Sequence, residues 1–336
     1  MIRSHIIPKF YLEQFAVRPK RRKRGPGRIW VYERGRKPGQ RATSRQGVKK
    51  GHFEYRKPDG SWEHSFESLL AEHESECNEI LTCAKFETFH WPPRSRERRA
   101  FYAGLLFSRA TQRRRQQESN WSKTLAGFRQ AADDERLVAE LAEVTSRKYG
   151  MPVAKEAIRA TIVEMVERSY GPAEAQRAFL ADLIANAERI AGWLLTKQPW
   201  TILRPPLGGE FITSDNPLIT FVPLGNGLLH TGYGFRKGMD AAAFPLAPDA
   251  CLLMGHAWQV PTHLNDQAFG ALTQALVSIC DRFSYSRVYS KRVQGLVDEC
   301  GGTSRYGENT FMPLGVAIPT PRQFLRTFFD LKGSDR

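Results

Sequence analysis

The chain has 336 residues, 41% of them hydrophobic and 25% charged, with a formal net charge of +15 at pH 7. This is the composition of a globular protein long enough for one large domain or two ordinary ones. No apolar run nears the roughly 18 residues needed to span a bilayer. The opening MIRSHIIPKFYLEQF lacks the charged-then-apolar pattern of a signal peptide, so a cytoplasmic protein with no membrane partner is expected.

The charge is unevenly placed. Sixteen Lys and Arg lie between Arg18 and Lys57 against Glu33 and Glu54, a local balance of +14, and the 279 residues after Lys57 sum to zero. A concentrated positive segment attracts polyanions far better than the same charge spread evenly. Nucleic acid or another polyanion is therefore the expected partner, and an acidic protein is the other candidate. Arg18, Lys20, Arg21, Arg22, Lys23, Arg24 and Arg28 are the candidate nucleic-acid-binding residues. A solvated basic loop reads the same way. The five cysteines (Cys77, Cys83, Cys251, Cys280, Cys300) are odd in number and none are spaced C-x-x-C, which excludes a disulfide scaffold and a zinc ribbon.

Taken in order, Pro8 suits the first position of a short helix over Lys9–Phe15, with Leu12 and Phe15 inward. His5 stands just before it. A helix N-terminus disfavours the imidazolium, and a neutral ring can act as general base or metal ligand. Residues 18–28 and 34–51 read as basic loops around the strand Ile29-Trp30-Val31-Tyr32. Phe53–Arg56 and Ser61–His64 flank a Pro-Asp-Gly turn and predict a hairpin. Trp30, Tyr32, Phe53, Tyr55 and Trp62 fit either the apolar face of a small sheet or a base-stacking surface, and their alternation favours the sheet.

A helix is expected from Ser65 to about Phe86, with Glu67 and Glu74 on one face and His73 four residues before Cys77. After the break at Trp91-Pro92-Pro93, one long helix is expected from Ser95 to Gln117, carrying Arg109 and Arg113 on one face. Residues 121–197 read as helical, with breaks at Gly150-Met151-Pro152 and Gly171-Pro172. From Pro199 the texture becomes that of short strands: Trp200–Leu203, Glu210–Thr213, Leu218–Val222, Ala241–Leu246 and Ala250–Met254. Helices follow, one capped by Asn265 and running to Cys280 and another over Ser290–Glu299, with an extended Tyr285–Tyr289 between them. A short amphipathic segment, Arg322–Leu331, is expected near the end of the chain.

Phe211-Ile212-Thr213-Ser214-Asp215-Asn216-Pro217 is the most pointed stretch. Pro217 drives Asn216 toward extended geometry, and Asp and Asn side chains favour turns by bonding to local backbone N–H groups. The result is a carboxylate and an amide held by stiff backbone at a strand end. That suits a functional site and equally suits a turn that satisfies its own backbone. No P-loop, G-x-G-x-x-G, G-x-S-x-G or H-E-x-x-H motif occurs, and Gly232-Tyr233-Gly234-Phe235 is too short to cradle a phosphate.

With these residues assembled the chain resembles the DUF4238 family, a group of mostly microbial proteins. The resemblance rests on His5-x-x-Pro8-x-x-Tyr11-Leu12-x-x-Phe15, the strand Ile29–Tyr32 and the helix with Glu67 and Glu74. It rests further on the helix with Arg109 and Arg113, on Phe211–Pro217, on Phe244-Pro245-Leu246, and on Tyr285 and Tyr289. Where the family pattern often has Gln in the long helix, Leu106 stands here.

The expected fold is α+β, a large helical body on a mostly antiparallel sheet. One domain over 1–336 is expected, with basic strands and a hairpin in 1–64, the helical body in 65–198, and the sheet with its helices in 199–336. Two functions stand. In the first, His5, Glu74, Arg109, Arg113, Asp215 and Asn216 form the catalytic set of a phosphodiesterase, a nuclease-like hydrolase acting on nucleic acid. There Asp215, Glu67 and Glu74 hold a divalent metal (Mg²⁺ or Mn²⁺), or His5 acts as base. In the second, the same polar groups form a buried network and the protein binds nucleic acid or protein without reaction.

Overall fold

The computed structural model describes residues 3–18, 25–57, 59–83, 93–169, 172–197, 200–223, 229–231, 241–255 and 262–303. Lys20, Arg21, Arg22, Lys23, Arg24, Trp91, Pro92, Gly232-Tyr233-Gly234-Phe235 and the segment Arg322–Leu331 lie outside them, as do the side chains of Cys77 and Cys83.

The N-terminal part runs β1 (Arg3–His5), α1 (Lys9–Gln14), β2 (Arg28–Glu33), β3 (Gly39–Ala42), β4 (Val48–Lys50), β5 (Tyr55–Arg56) and β6 (Trp62–Glu63). Six helices follow: α2 (Ser65–Cys83), α3 (Pro93–Ser108), α4 (Thr111–Asp133), α5 (Glu135–Tyr149), α6 (Lys155–Ser169) and α7 (Pro172–Thr196). The C-terminal part runs β7 (Trp200–Leu203), β8 (Thr213–Ser214), β9 (Ile219–Pro223), β10 (Leu229–Thr231), β11 (Ala241–Ala247), β12 (Ala250–Gly255), α8 (Asp266–Ser278), β13 (Phe283–Ser286) and α9 (Lys291–Cys300). Helices and antiparallel sheets together make the fold α+β. Among the described residues no helix is long and apolar enough to cross a membrane.

The main sheet has five strands in the order β10-β9-β11-β12-β7, all antiparallel. Pro245 sits in its middle strand, yet the β11–β9 pairing covers only Ala241–Ala243. The proline's missing N–H therefore falls where that ladder has already ended. A second sheet, β3-β2-β13-β8, places the N-terminal β2 beside β13, more than 250 residues further along the chain. Helix α1 is fixed through Tyr11, whose hydroxyl donates to the Pro245 carbonyl at 2.7 Å and lies 2.8 Å from Thr213 Oγ1. Its ring stacks on Phe244 at 5.5 Å.

The chain divides into two compact units. The described residues of 1–114 and 180–311 make one, holding all the described strands and the core of Tyr11, Phe15, Phe107, Leu194, Phe244 and Tyr285. Those of 115–179 make the other, with its own core of Phe128, Leu137, Val138, Leu141, Ile158 and Ile162. There Asp134 caps α5 by accepting from the Arg136 and Leu137 backbone N–H groups, and Gly150 ends that helix in the left-handed conformation.

Several elements depart from the sequence reading. Residues 34–51 are not a loop: they hold β3, a 3₁₀ turn at Thr43–Arg45 and β4. Their Lys and Arg point outward on short edge strands, where charge does not oppose pairing. The predicted helix over 95–117 is two helices, with the chain breaking at Arg109-Ala110. Phe211 and Ile212 are buried but precede β8 rather than ending a strand. Leu106 is buried in the apolar core.

Candidate functional site

His5 ends β1, opposite Val48 of β4. The turn before β4 is made possible by Gly47, whose φ of +60° is a left-handed conformation and whose carbonyl accepts from Ile6 N–H at 2.7 Å. The His5 ring is half-buried and hydrogen-bonded to the Ser44 backbone. That bond favours the charged ring, so the ring donates it. Its Nε2 is buried without a partner. Nδ1 therefore carries the proton, and in the neutral ring Nε2 offers a lone pair. Burial lowers the His5 pKa, the Glu74 and Glu67 carboxylates oppose that shift, and Arg109 assists it. Neutral imidazole is thus the dominant form at pH 7.

Glu67 and Glu74 come from the same face of α2, as their seven-residue spacing requires. Glu74 forms an ion pair with Arg109, and Glu67 Oε1 is buried without a partner. Arg109 is itself only 1% exposed. One Nη group donates to Glu74 and the other to the His5 carbonyl, while the guanidinium lies 5.2 Å from the Phe53 ring centroid. Arg109 thereby ties β1 to α2. Both its Nη groups are spent within the protein, so its charge acts on His5 through the field rather than on a long substrate by contact.

Arg113 does not share that setting. The break at Arg109-Ala110 turns it toward Asp182 and Arg189 of α7. Burial lowers its pKa to about 10 against the pull of Asp182, so it stays charged at neutral pH.

Asp215 also faces elsewhere. Its Oδ1 accepts from Asp281 N–H at 2.6 Å, and its Oδ2 accepts from Arg282 and Phe283 N–H at 2.8 and 2.9 Å. Burial and the nearby Asp281 carboxylate push its pKa up, against the pull of these three donors. Asn216 is fully buried, and its amide donates to the Ile279 carbonyl at 3.2 Å and to Gln112 at 3.4 Å. The stretch 213–216 thus holds the chain between α8 and β13 in place. It reaches the helices through Thr213 to Tyr11 of α1 and through Asn216 to Gln112 of α4. Of the residues proposed from sequence, His5, Glu67, Glu74 and Arg109 gather around one point, whereas Asp215, Asn216 and Arg113 are engaged in other surroundings. Asp215 therefore does not join Glu67 and Glu74 as a ligand, and among the described residues no three His, Cys, Asp or Glu come together to hold a metal ion. His73 packs its ring against Phe101 at 5.0 Å.

Two features carried no sequence signal. The first is His52, which is fully buried. Arg114 Nη1 lies 3.1 Å from its Nδ1 and donates to its carbonyl at 2.9 Å. Arginine only donates, so Nδ1 accepts and Nε2–H faces the Arg109 carbonyl at 3.4 Å. Burial, with Arg114 and Lys49 nearby, lowers the His52 pKa to about 3. The second is Glu13, which binds Gly27 N–H at 3.0 Å, Thr43 Oγ1, and Arg18 at 3.6 Å, and so ties together both ends of the basic 18–28 segment.

The basic residues of the strands lie outside. Arg28, Arg34, Arg36, Lys37, Arg41, Arg45, Lys49 and Lys50 are all exposed. Lys49 and Lys50 directly follow Val48, the residue paired with His5.

No curated protein and no solved structure matches the chain. The family model described as protein of unknown function (DUF4238) matches residues 3–298, and with that span covered the chain belongs to the DUF4238 family.

Proposed function

We propose that the protein acts on nucleic acid as a phosphodiesterase with His5 as general base. The observation that carries this reading is the buried, unpartnered Nε2 of a half-buried, neutral His5, flanked by two carboxylates and followed on the paired strand by exposed Lys49 and Lys50. Ser44 fixes the tautomer, Arg109 holds β1 against α2, and Glu74 balances the Arg109 charge. The exposed cations of 28–50 attract the phosphate backbone. Glu67 and Glu74, whose charges act on the His5 ring, are the carboxylates that would hold a divalent ion carried in with the substrate.

A second reading is a non-catalytic nucleic-acid-binding module. It is favoured by the internal engagement of Arg109 and Asp215, both spent on holding chain segments together.

One experiment decides between them. Labelled RNA and DNA are incubated with the protein and with His5→Gln, with and without Mg²⁺ or Mn²⁺. Cleavage that falls about 10²–10⁴-fold in His5→Gln, at an unchanged melting temperature, supports the enzyme. Salt-dependent binding with no cleavage supports the module. Cleavage at the same rate in both proteins removes His5 from the mechanism.

A further inference from the structure

Of the five aromatic residues interleaved with the basic segment, Tyr32 and Phe53 are fully buried and belong to the core. Trp30 is different. It lies on β2 between Gln40 of β3 and Ser286 of β13, and is only partly buried. It packs against the core that holds Tyr32, Phe211, Ile219, Leu276 and Val293. Its ring meets Tyr289, three residues after Trp30's partner Ser286, at 5.1 Å and an angle of 47°. Tyr289 is 45% exposed. The rings form a tilted pair with open surface, held from beneath by the sheet.

The surroundings are cationic. Arg28 is exposed two residues before Trp30, hence on the same sheet face, and is steadied by donating to the Gln40 carbonyl at 3.1 Å. Lys291 and Arg292 follow Tyr289 at the start of α9 and are exposed. Within Arg28–Lys50 the only acid is Glu33, which is itself paired with Arg36 and Arg282. A partly exposed aromatic pair with exposed Arg and Lys close by in the chain matches a strand whose bases are unpaired: the rings take a base and the cations take the phosphates on either side. A duplex hides its base faces and fits less well.

We infer that Trp30 and Tyr289, with Arg28 and Lys291, form a stacking subsite for single-stranded nucleic acid. The inference rests on the nucleic-acid reading above and adds the form of strand and the place where it is held.

The test is binding, so it stands apart from catalysis. Anisotropy of labelled oligo(U), oligo(dT) and a duplex of equal length is measured with the full chain and with Trp30→Ala, Tyr289→Ala, Tyr289→Leu and Trp30→Phe. Each alanine variant, and Tyr289→Leu, is expected to weaken single-strand binding about tenfold or more and to leave duplex binding near its starting value. Trp30→Phe, which keeps a ring, is expected to retain most of the affinity. The two oligomers separate RNA from DNA as the source. Single-strand binding that survives the ring-removing variants overturns the subsite and leaves the His5 reading standing. Equal losses in Trp30→Phe and Trp30→Ala overturn it also, because the ring is then only packing. Absence of cleavage, with ring-dependent binding of single strands, overturns the His5 chemistry and supports the subsite.

Discussion

Asp215 and His52 show how little a residue type says until its partners are known. A carboxylate in a Ser-Asp-Asn-Pro turn reads as a metal ligand or a base. Here it accepts three backbone N–H groups from residues 281–283. Replacing it by Ala takes the acceptor from those part-buried and exposed donors, and a buried donor left without a partner costs about 1–3 kcal/mol. Asp215→Ala is therefore expected to lower stability by about 1–3 kcal/mol in urea unfolding, with any His5-dependent activity per folded molecule retained. A stable, inactive Asp215→Ala protein would return Asp215 to the site. His52 gives a pH effect of definite sign. Its folded pKa of about 3 lies below the ordinary histidine value of 6.5, so the neutral ring contributes stability that is complete above pH 6.5. This is lost as pH falls from 6.5 toward 3, by up to about 1.4 kcal/mol per pH unit. His5, also lowered, adds in the same direction. His52→Asn keeps an acceptor for Arg114 but does not titrate, so its stability is expected to fall less steeply over this range. Parallel pH profiles for the two proteins would refute that role.

At the scale of elements, the break between α3 and α4 matters most for the site. Read as one helix, the segment puts Arg109 and Arg113 on one face. The break at Arg109-Ala110 instead directs Arg109 to Glu74 and β1, and Arg113 to Asp182. Nothing local requires it, since Ser, Arg, Ala and Thr all tolerate helix. It follows from tertiary ties: the ion pair to α2 and the His5 carbonyl. Helix α3 also makes a close approach to α7. A Cβ added at Gly104 would stand 2.5 Å from the Ala187 carbonyl oxygen and 3.1 Å from its Cα, and backbone cannot yield as a side chain can. Gly104→Ala is expected to cost about 1–3 kcal/mol, visible as a lower melting temperature. An unchanged melting temperature would mean the helices separate there without loss.

For the whole molecule, the sequence determined what depends on periodicity and short-range chemistry. Four strands of the main sheet, the cap Asn265, and the concentration of positive charge up to Lys57 were legible because hydrophobic spacing, turn residues and side-chain-to-backbone bonds act within a few positions. So was the pairing of Glu67 with Glu74 on one face, which is helical geometry alone. The tertiary structure decided which distant segments meet. It set β2 beside β13, gave Asp215 to the 281–283 backbone, brought His5 to Arg109 and Glu74, and left Trp30 and Tyr289 open together. Periodicity carries no record of a partner more than 250 residues away. Such contacts are selected by burial and hydrogen-bond satisfaction over the entire fold, and only the folded chain states them.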